Sequence, residues 1–168
     1  VMPDGYLVTG FSKELGEGGG TYLMRLAPNF AVQWYRGLEQ FTGSRSIELD
    51  ADGTITLAGT SSFPDPIRGA AILQMSLGSP NSASGMRYGG LVEENGRELV
   101  RDGAGFALIG DSRSFGTPLS DPHLVRTDSM LTSGCEETPY SVGVVAHQLR
   151  AQELKLVAVA LEPGPQPE

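Results

Sequence analysis

Short apolar runs separated by glycine, proline and serine dominate the chain. Tyr6 to Phe11, Tyr22 to Leu26, Val32 to Arg36 and Ser46 to Leu49 each have the length and the Val, Ile, Leu or aromatic content of a short β-strand. Gly and Pro fall between these runs, where turns need them and strands do not. No apolar spacing of helical period extends for a convincing length before residue 144. Beyond it, Leu154 to Leu161 reads as a strand, while Ala146 to Val157 is also rich in helix formers, so both states stand open there. Pro163-Gly164-Pro165-Gln166-Pro167 has a stiff linker composition and predicts a domain edge.

The runs recur. Asp4-Gly5-Tyr6-Leu7-Val8-Thr9-Gly10 returns as Asp52-Gly53-Thr54-Ile55-Thr56-Leu57-Ala58-Gly59 and again as Gly105-Phe106-Ala107-Leu108-Ile109-Gly110. The closing glycines Gly10, Gly59 and Gly110 are 49 and 51 residues apart. Tyr22-Leu23-Met24-Arg25-Leu26 keeps step with Ala71-Ile72-Leu73-Gln74-Met75 and His123-Leu124-Val125-Arg126-Thr127. Two separate motifs sharing one period predict three copies of one unit of about 50 residues. Each unit reads as four short strands, with loops at Gly16 to Gly20, Phe63 to Gly69 and Phe115 to Pro122. The expected fold class is therefore all-β: consecutive four-stranded antiparallel blades of about 50 residues, a partial β-propeller. The units are expected at about 1–50, 51–101 and 102–140, with 141–168 a terminal strand and Pro-rich linker. Three such units cannot close a ring that needs about four to eight blades, so further repeats of a longer parent chain are expected. Val1 stands almost directly before the first strand-like run, without the basic, apolar and small-residue succession of a signal peptide.

The order Asp-Gly-aromatic-apolar-apolar-x-Gly, then Tyr-apolar-x-basic-apolar, a turn and Trp, resembles the propeller-type repeats of bacterial secreted and cell-surface proteins. Such repeats are common in multidomain exported proteins of the Bacteroidetes type. The first unit carries the resemblance through Asp4, Gly5, Tyr6, Gly10, Tyr22, Arg25, Leu26, Asn29 and Trp34. The second unit departs from it, with Gln74 in place of the basic residue and no Trp near Met86. The resemblance covers roughly residues 3–140 and implies an extracellular or cell-surface β-propeller module without assigned chemistry.

Composition narrows the partners. The 23 glycines and 11 prolines among 168 residues fit a turn-rich β protein. A net charge of −8 without any Lys/Arg cluster argues against nucleic acid, because phosphate neutralisation needs basic side chains. No apolar run reaches the roughly 18 residues of a membrane-spanning helix. The single cysteine, Cys135, forms neither an internal disulfide nor a cysteine-based metal site.

Three constellations could carry chemistry. Gly110-Asp111-Ser112, delivered by the apolar run Phe106 to Ile109, resembles the nucleophile block of GDS-type lipases and esterases, where serine attacks an acyl carbon with histidine as base. The Asp-x-x-His partner of that family is one residue short here, as Asp121-Pro122-His123. Ser12, Ser61 and Ser112 follow equivalent glycines, and a serine repeated in every unit reads as a turn former. Glu48, Asp50 and Asp52 alternate before Gly53 as in a calcium loop, but the twelfth position is Gly59 where the bidentate glutamate belongs, so calcium is a weak candidate cofactor and a hairpin turn the simpler reading. Trp34 with Tyr35 could form a glycan-stacking surface or pack within a strand.

Gly16-Glu17-Gly18-Gly19-Gly20 lacks the lysine of a phosphate loop, and His123 with His147 cannot close a zinc site without a third ligand. Glu93, Glu94 and Glu98 around Asn95-Gly96 read as a solvated hairpin. The expected function is a non-enzymatic repeat module of an exported bacterial protein, binding a protein or glycan or acting as a spacer. The alternative is a hydrolase working on a propeller face, through Gly110-Asp111-Ser112 or through converging carboxylates. It requires at least two of Asp111, His123, Asp121 and Glu48 to meet in one cleft.

Overall fold

The computed structural model describes residue 2 and residues 4–15, 19–62, 68–90, 92–115 and 119–146. Twelve strands follow one another: β1 (Tyr6–Ser12), β2 (Gly20–Leu26), β3 (Val32–Glu39), β4 (Phe41–Leu49), β5 (Thr54–Ser61), β6 (Gly69–Ser76), β7 (Ala83–Tyr88), β8 (Glu94–Asp102), β9 (Gly105–Ser112), β10 (Asp121–Thr127), β11 (Glu137–Val142) and β12 (Val144–Ala146). The described residues contain no helix, so none of them forms a helix that could cross a membrane. The fold is all-β, and every strand pair is antiparallel. The residues left open between strand and helix divide: Val144–Ala146 is strand, and Leu154 to Leu161 lies outside the described residues.

The repeat appears as a shared register. Gly10 stands opposite Tyr22 in the β1–β2 pair, Gly59 opposite Ala71 in β5–β6, and Gly110 opposite His123 in β9–β10. These are the residues that the two sequence motifs align. A slip of one residue would move every apolar side chain to the opposite face, so three equal registers mean three equal face assignments. The turns repeat as well. Ala27–Ala31 and Asp128–Thr132 close through the same two backbone hydrogen bonds, and the fourth residue of each, Phe30 and Leu131, has a positive φ of 62° and 64°.

The sheets are not successive four-stranded units. Their orders are β1-β2-β3-β12, β11-β7-β6-β5-β4 and β10-β9-β8, giving four, five and three strands. The strand expected to complete the first unit, β4, pairs with β5 of the next, and β8 likewise pairs with β9. A tight Asp50–Gly53 turn, in which the Asp52 carboxylate accepts the Thr54 amide at 2.9 Å, joins β4 directly to β5 and makes that pairing local. β3 and β4 meet at Gln40 (φ 62°), where the chain passes from one sheet to the next. The C-terminal strands return along the edges, β11 onto β7 and β12 onto β3.

The three sheets stack face to face. Leu23 and Leu38 from the first sheet meet Phe41, Ile55, Leu57, Ala71, Leu73 and Met75 from the middle one in a first core. Ala58, Ala70 and Ile72 from the middle sheet meet Leu99, Phe106, Leu108 and Val125 from the third in a second core. The middle strands are thus covered on both faces, which is why β6 reads as a nearly continuous apolar run and why β5 is buried along almost its whole length although Thr alternates with Ile and Leu at its start. Full burial of each Leu or Ile there contributes about 1.5–3 kcal/mol.

Candidate functional site

The closing glycines are explained by the strand beside them. β4 bulges between Thr42 and Ser46, opposite Gly59, and β8 bulges between Gly96 and Glu98, beside Gly110. A bulge tilts backbone toward its neighbour. A Cβ on Gly59 would meet the Thr42 carbonyl oxygen at 2.8 Å, and one on Gly110 would collide with the Asn95 carbonyl. Gly10 has a softer obstacle, the Tyr22 ring. The motif that ends each strand in glycine is therefore a packing requirement.

Ser112 lies just past that glycine at the end of β9, only 2% exposed. Its hydroxyl donates to Glu94 Oε1 at 3.3 Å and accepts the Ser114 amide at 3.0 Å. Ser61, its counterpart on β5, is also buried, and Ser12 likewise ends β1. His123 does not engage the serine; its ring lies against Phe115 with centroids 5.8 Å apart. Asp121 stands opposite Ser112 in the β10–β9 ladder.

Asp111 is held by a separate network. It accepts Asn95 Nδ2 at 3.0 Å and Ser120 Oγ at 3.1 Å, and is paired with the Arg97 guanidinium. Burial pushes its carboxyl up, but the Asn95, Arg97 and Ser120 hydrogen bonds and the Arg97 charge outweigh it and leave the carboxyl below its ordinary value. Asp121 and His123 share β10, Asp111 lies on the neighbouring β9 with the partners just named, and Glu48 belongs to β4 of the middle sheet.

Glu48 and Asp50 line a cleft of about 530 Å³ together with Met2, Leu7 and Ile47. Asp50 is paired with Arg101, and Asp52 turns back on its own hairpin, where the Thr54 hydrogen bonds hold its carboxyl below the usual range. Among the described residues no group of three His, Cys, Asp or Glu side chains could hold a metal ion. The Arg of the repeat motif pairs with an Asp in two of its three copies: Arg25 with the motif's own Asp4 at 2.5 Å, and Arg126 with Asp102 at the end of β8 at 2.6 Å. Gln74 of the second unit instead donates to the Thr56 hydroxyl at 3.4 Å.

No known protein family, curated protein or solved structure matches the chain.

Strand alternation sends Trp34 and Tyr35 to opposite faces of the first sheet. Trp34 packs against the first core with the Arg36 guanidinium 5.9 Å from its ring, while Tyr35 stacks on Tyr22 at 5.6 Å. Tyr6 and Phe30 form a second stack at 5.1 Å. Burial, with smaller contributions from Tyr22 and Glu14, raises the Tyr35 phenol above its ordinary value. Cys135 is exposed and free. His147 and residues 16–18 of the glycine-rich loop lie outside the described residues.

Sequence reasoning misplaced Glu94. The expected solvated hairpin is the start of β8, and Glu94 is wholly buried there, with Oε2 lacking a hydrogen-bond partner. Asn95-Gly96 suggests a turn, but Gly96 lies where a Cβ would collide with the Gly59 carbonyl, so the glycine serves close sheet packing. No local pattern announces such a contact between sheets.

Proposed function

We propose that the chain is a non-enzymatic repeat module of an exported bacterial protein, binding a protein or glycan partner or acting as a spacer, with further repeats of a longer parent chain as its neighbours. In this reading the three stacked sheets are blades of an incomplete β-propeller, phased one strand earlier than the sequence motifs, and β4–β7 is one complete blade. The cell-surface location follows from the sequence resemblance alone.

The observation that carries the non-enzymatic part is the state of Ser112. A nucleophile needs access to its substrate, and this hydroxyl is buried together with the Glu94 carboxylate that accepts its hydrogen bond, while His123 lies against Phe115. Of the other candidate carboxylates, Asp50 and Asp111 are paired with arginines and Asp52 accepts the Thr54 amide. For the binding part, the paired stacks Tyr6–Phe30 and Tyr22–Tyr35 supply flat aromatic surface of the kind sugars pack on.

The test is incubation with p-nitrophenyl esters and with cello-, xylo- and chito-oligosaccharides, following product by chromatography and binding by tyrosine and tryptophan fluorescence. The proposal expects no product, and saturable fluorescence change if a glycan is the partner. Product release that disappears in Ser112→Ala would overturn it in favour of the hydrolase.

A further inference from the structure

Each sheet has a front face, turned toward the preceding sheet, and a rear face, turned toward the following one. In the middle sheet the front carries Ile55, Leu57, Ala71 and Leu73, and the rear carries Ala58, Ala70 and Ile72. The shared register transfers this assignment. The first sheet turns Leu7 and Leu23 rearward into the first core, and the third turns Phe106, Leu108 and Val125 forward into the second. Among the described residues two faces then remain at the ends of the stack. The rear of the third sheet shows Val100, Ile109 and Leu124, which are 44%, 46% and 62% exposed. The front of the first sheet shows Tyr6, Val8, Tyr22, Met24 and Tyr35, all half-buried, beside Phe30 at 61%.

A rear face meets a front face twice inside this molecule, and the end faces are the third copies of those same two surfaces. We propose that they are the two halves of a head-to-tail interface, and that the occupant of each is a second copy of this chain. The inference rests on the repeat geometry: these are the two faces that further repeats of a parent chain would cover, a second copy stands in for such a repeat, and on the front face it competes with a glycan for the Tyr6–Phe30 and Tyr22–Tyr35 stacks. Rear Ile109 and Leu124 correspond to Ala58 and Ile72, which are completely buried by the third sheet, so the chemistry of the partner is that of an apolar, twisted sheet face. A second copy offers such a surface at its other end.

The contact is heterologous and does not close on itself, so assembly is open-ended. A three-stranded face measures about 14 Å by 26 Å from strand spacing and rise. Two such faces give roughly 750 Å², below the about 1,000 Å² of a lasting complex, so exchange is rapid and occupancy depends on concentration.

Sedimentation of the full 168-residue chain between about 10 μM and 1 mM tests this. The weight-average mass is expected to rise with concentration past that of a dimer. Leu124→Glu spoils only the rear face and Met24→Lys only the front, and each alone is expected to sediment as a monomer with an unchanged circular-dichroism spectrum. Mixed in equal amounts they retain one good rear and one good front, and are expected to form a dimer that grows no further. Ile109→Glu and Tyr35→Lys replace either variant that fails to fold. A wild-type mass that stays monomeric throughout, single variants that still assemble, or a mixture that stays monomeric would each overturn the proposal; a monomer would leave the faces to the chain's own segments or to solvent.

Discussion

Replacing Gly110 by alanine should damage the protein more than the same change at Gly10, although the two occupy matching sites in the repeat. Neither has a positive φ, so alanine is permitted by the backbone at both, and the stiffer unfolded chain contributes about 0.4–1 kcal/mol in favour of the variant. The difference lies in what the new methyl group meets. At Gly110 it collides with the Asn95 carbonyl, whose carbon lies 3.0 Å away with Gly96 Cα at 3.4 Å. That backbone is fixed in the β8–β9 ladder and in contact with the middle sheet, so relief requires opening the bulge. Overpacking of this kind costs about 1–3 kcal/mol, and an immovable obstacle belongs at the upper end. A net loss of about 2 kcal/mol in a domain of this size lowers Tm by about 4–8 °C. At Gly10 the obstacle is the half-buried Tyr22 ring, 2.5–2.8 Å away, which can change rotamer. The remaining loss is the Tyr22–Tyr35 stack, about 1 kcal/mol or less after the entropic gain. Thermal and urea unfolding of both variants measures the ranking. Gly110→Ala melting with the wild type, or above Gly10→Ala, would refute the bulge explanation of the closing glycines.

Three further outcomes are expected. The Asp111 carboxyl is depressed in the folded state, so its contribution is present above the ordinary carboxylate value and is lost as pH falls through the folded value; Asp111→Asn should flatten the decline of the urea midpoint between about pH 5 and pH 2, and an unchanged slope would count against the network. The Tyr88 hydroxyl donates to the buried Leu131 carbonyl at 2.7 Å, so Tyr88→Phe should lose about 1–2 kcal/mol by urea unfolding, whereas a neutral change would show that this tie is dispensable. Millimolar calcium should leave Tm unchanged because Asp50 and Asp52 are already engaged, and a rise that disappears in Asp50→Ala would restore the calcium loop.

The β character and the repeat were legible because both are local: apolar runs, Asp-Gly turns and two motifs in step. The faces became clear only with the strands placed: alternation along β3 separates Trp34 from Tyr35, which the sequence had offered as one surface. The sheet boundaries were not legible. Whether β4 joins β3 or β5 depends on the turn at Gln40 and on the bulge opposite Gly59, and neither leaves a mark in the apolar pattern. The edge pairings of β11 and β12 join residues far apart in sequence, where composition says nothing about the partner. Among the candidate site residues, equivalence of Ser12, Ser61 and Ser112 pointed to scaffolding from the sequence. The buried position of Glu94 did not, because Glu-Asn-Gly is the composition of an exposed turn and only the contact with Gly59 reverses it.

The most direct test of the account is the register of the three hairpins in solution. Cross-strand nuclear Overhauser contacts are expected between Gly10 and Tyr22, between Gly59 and Ala71, and between Gly110 and His123, together with side-chain contacts from Ile72 to the third sheet and from Leu73 to the first. A one-residue offset in any one of the three hairpins, or contacts from both side chains to the same sheet, would contradict it.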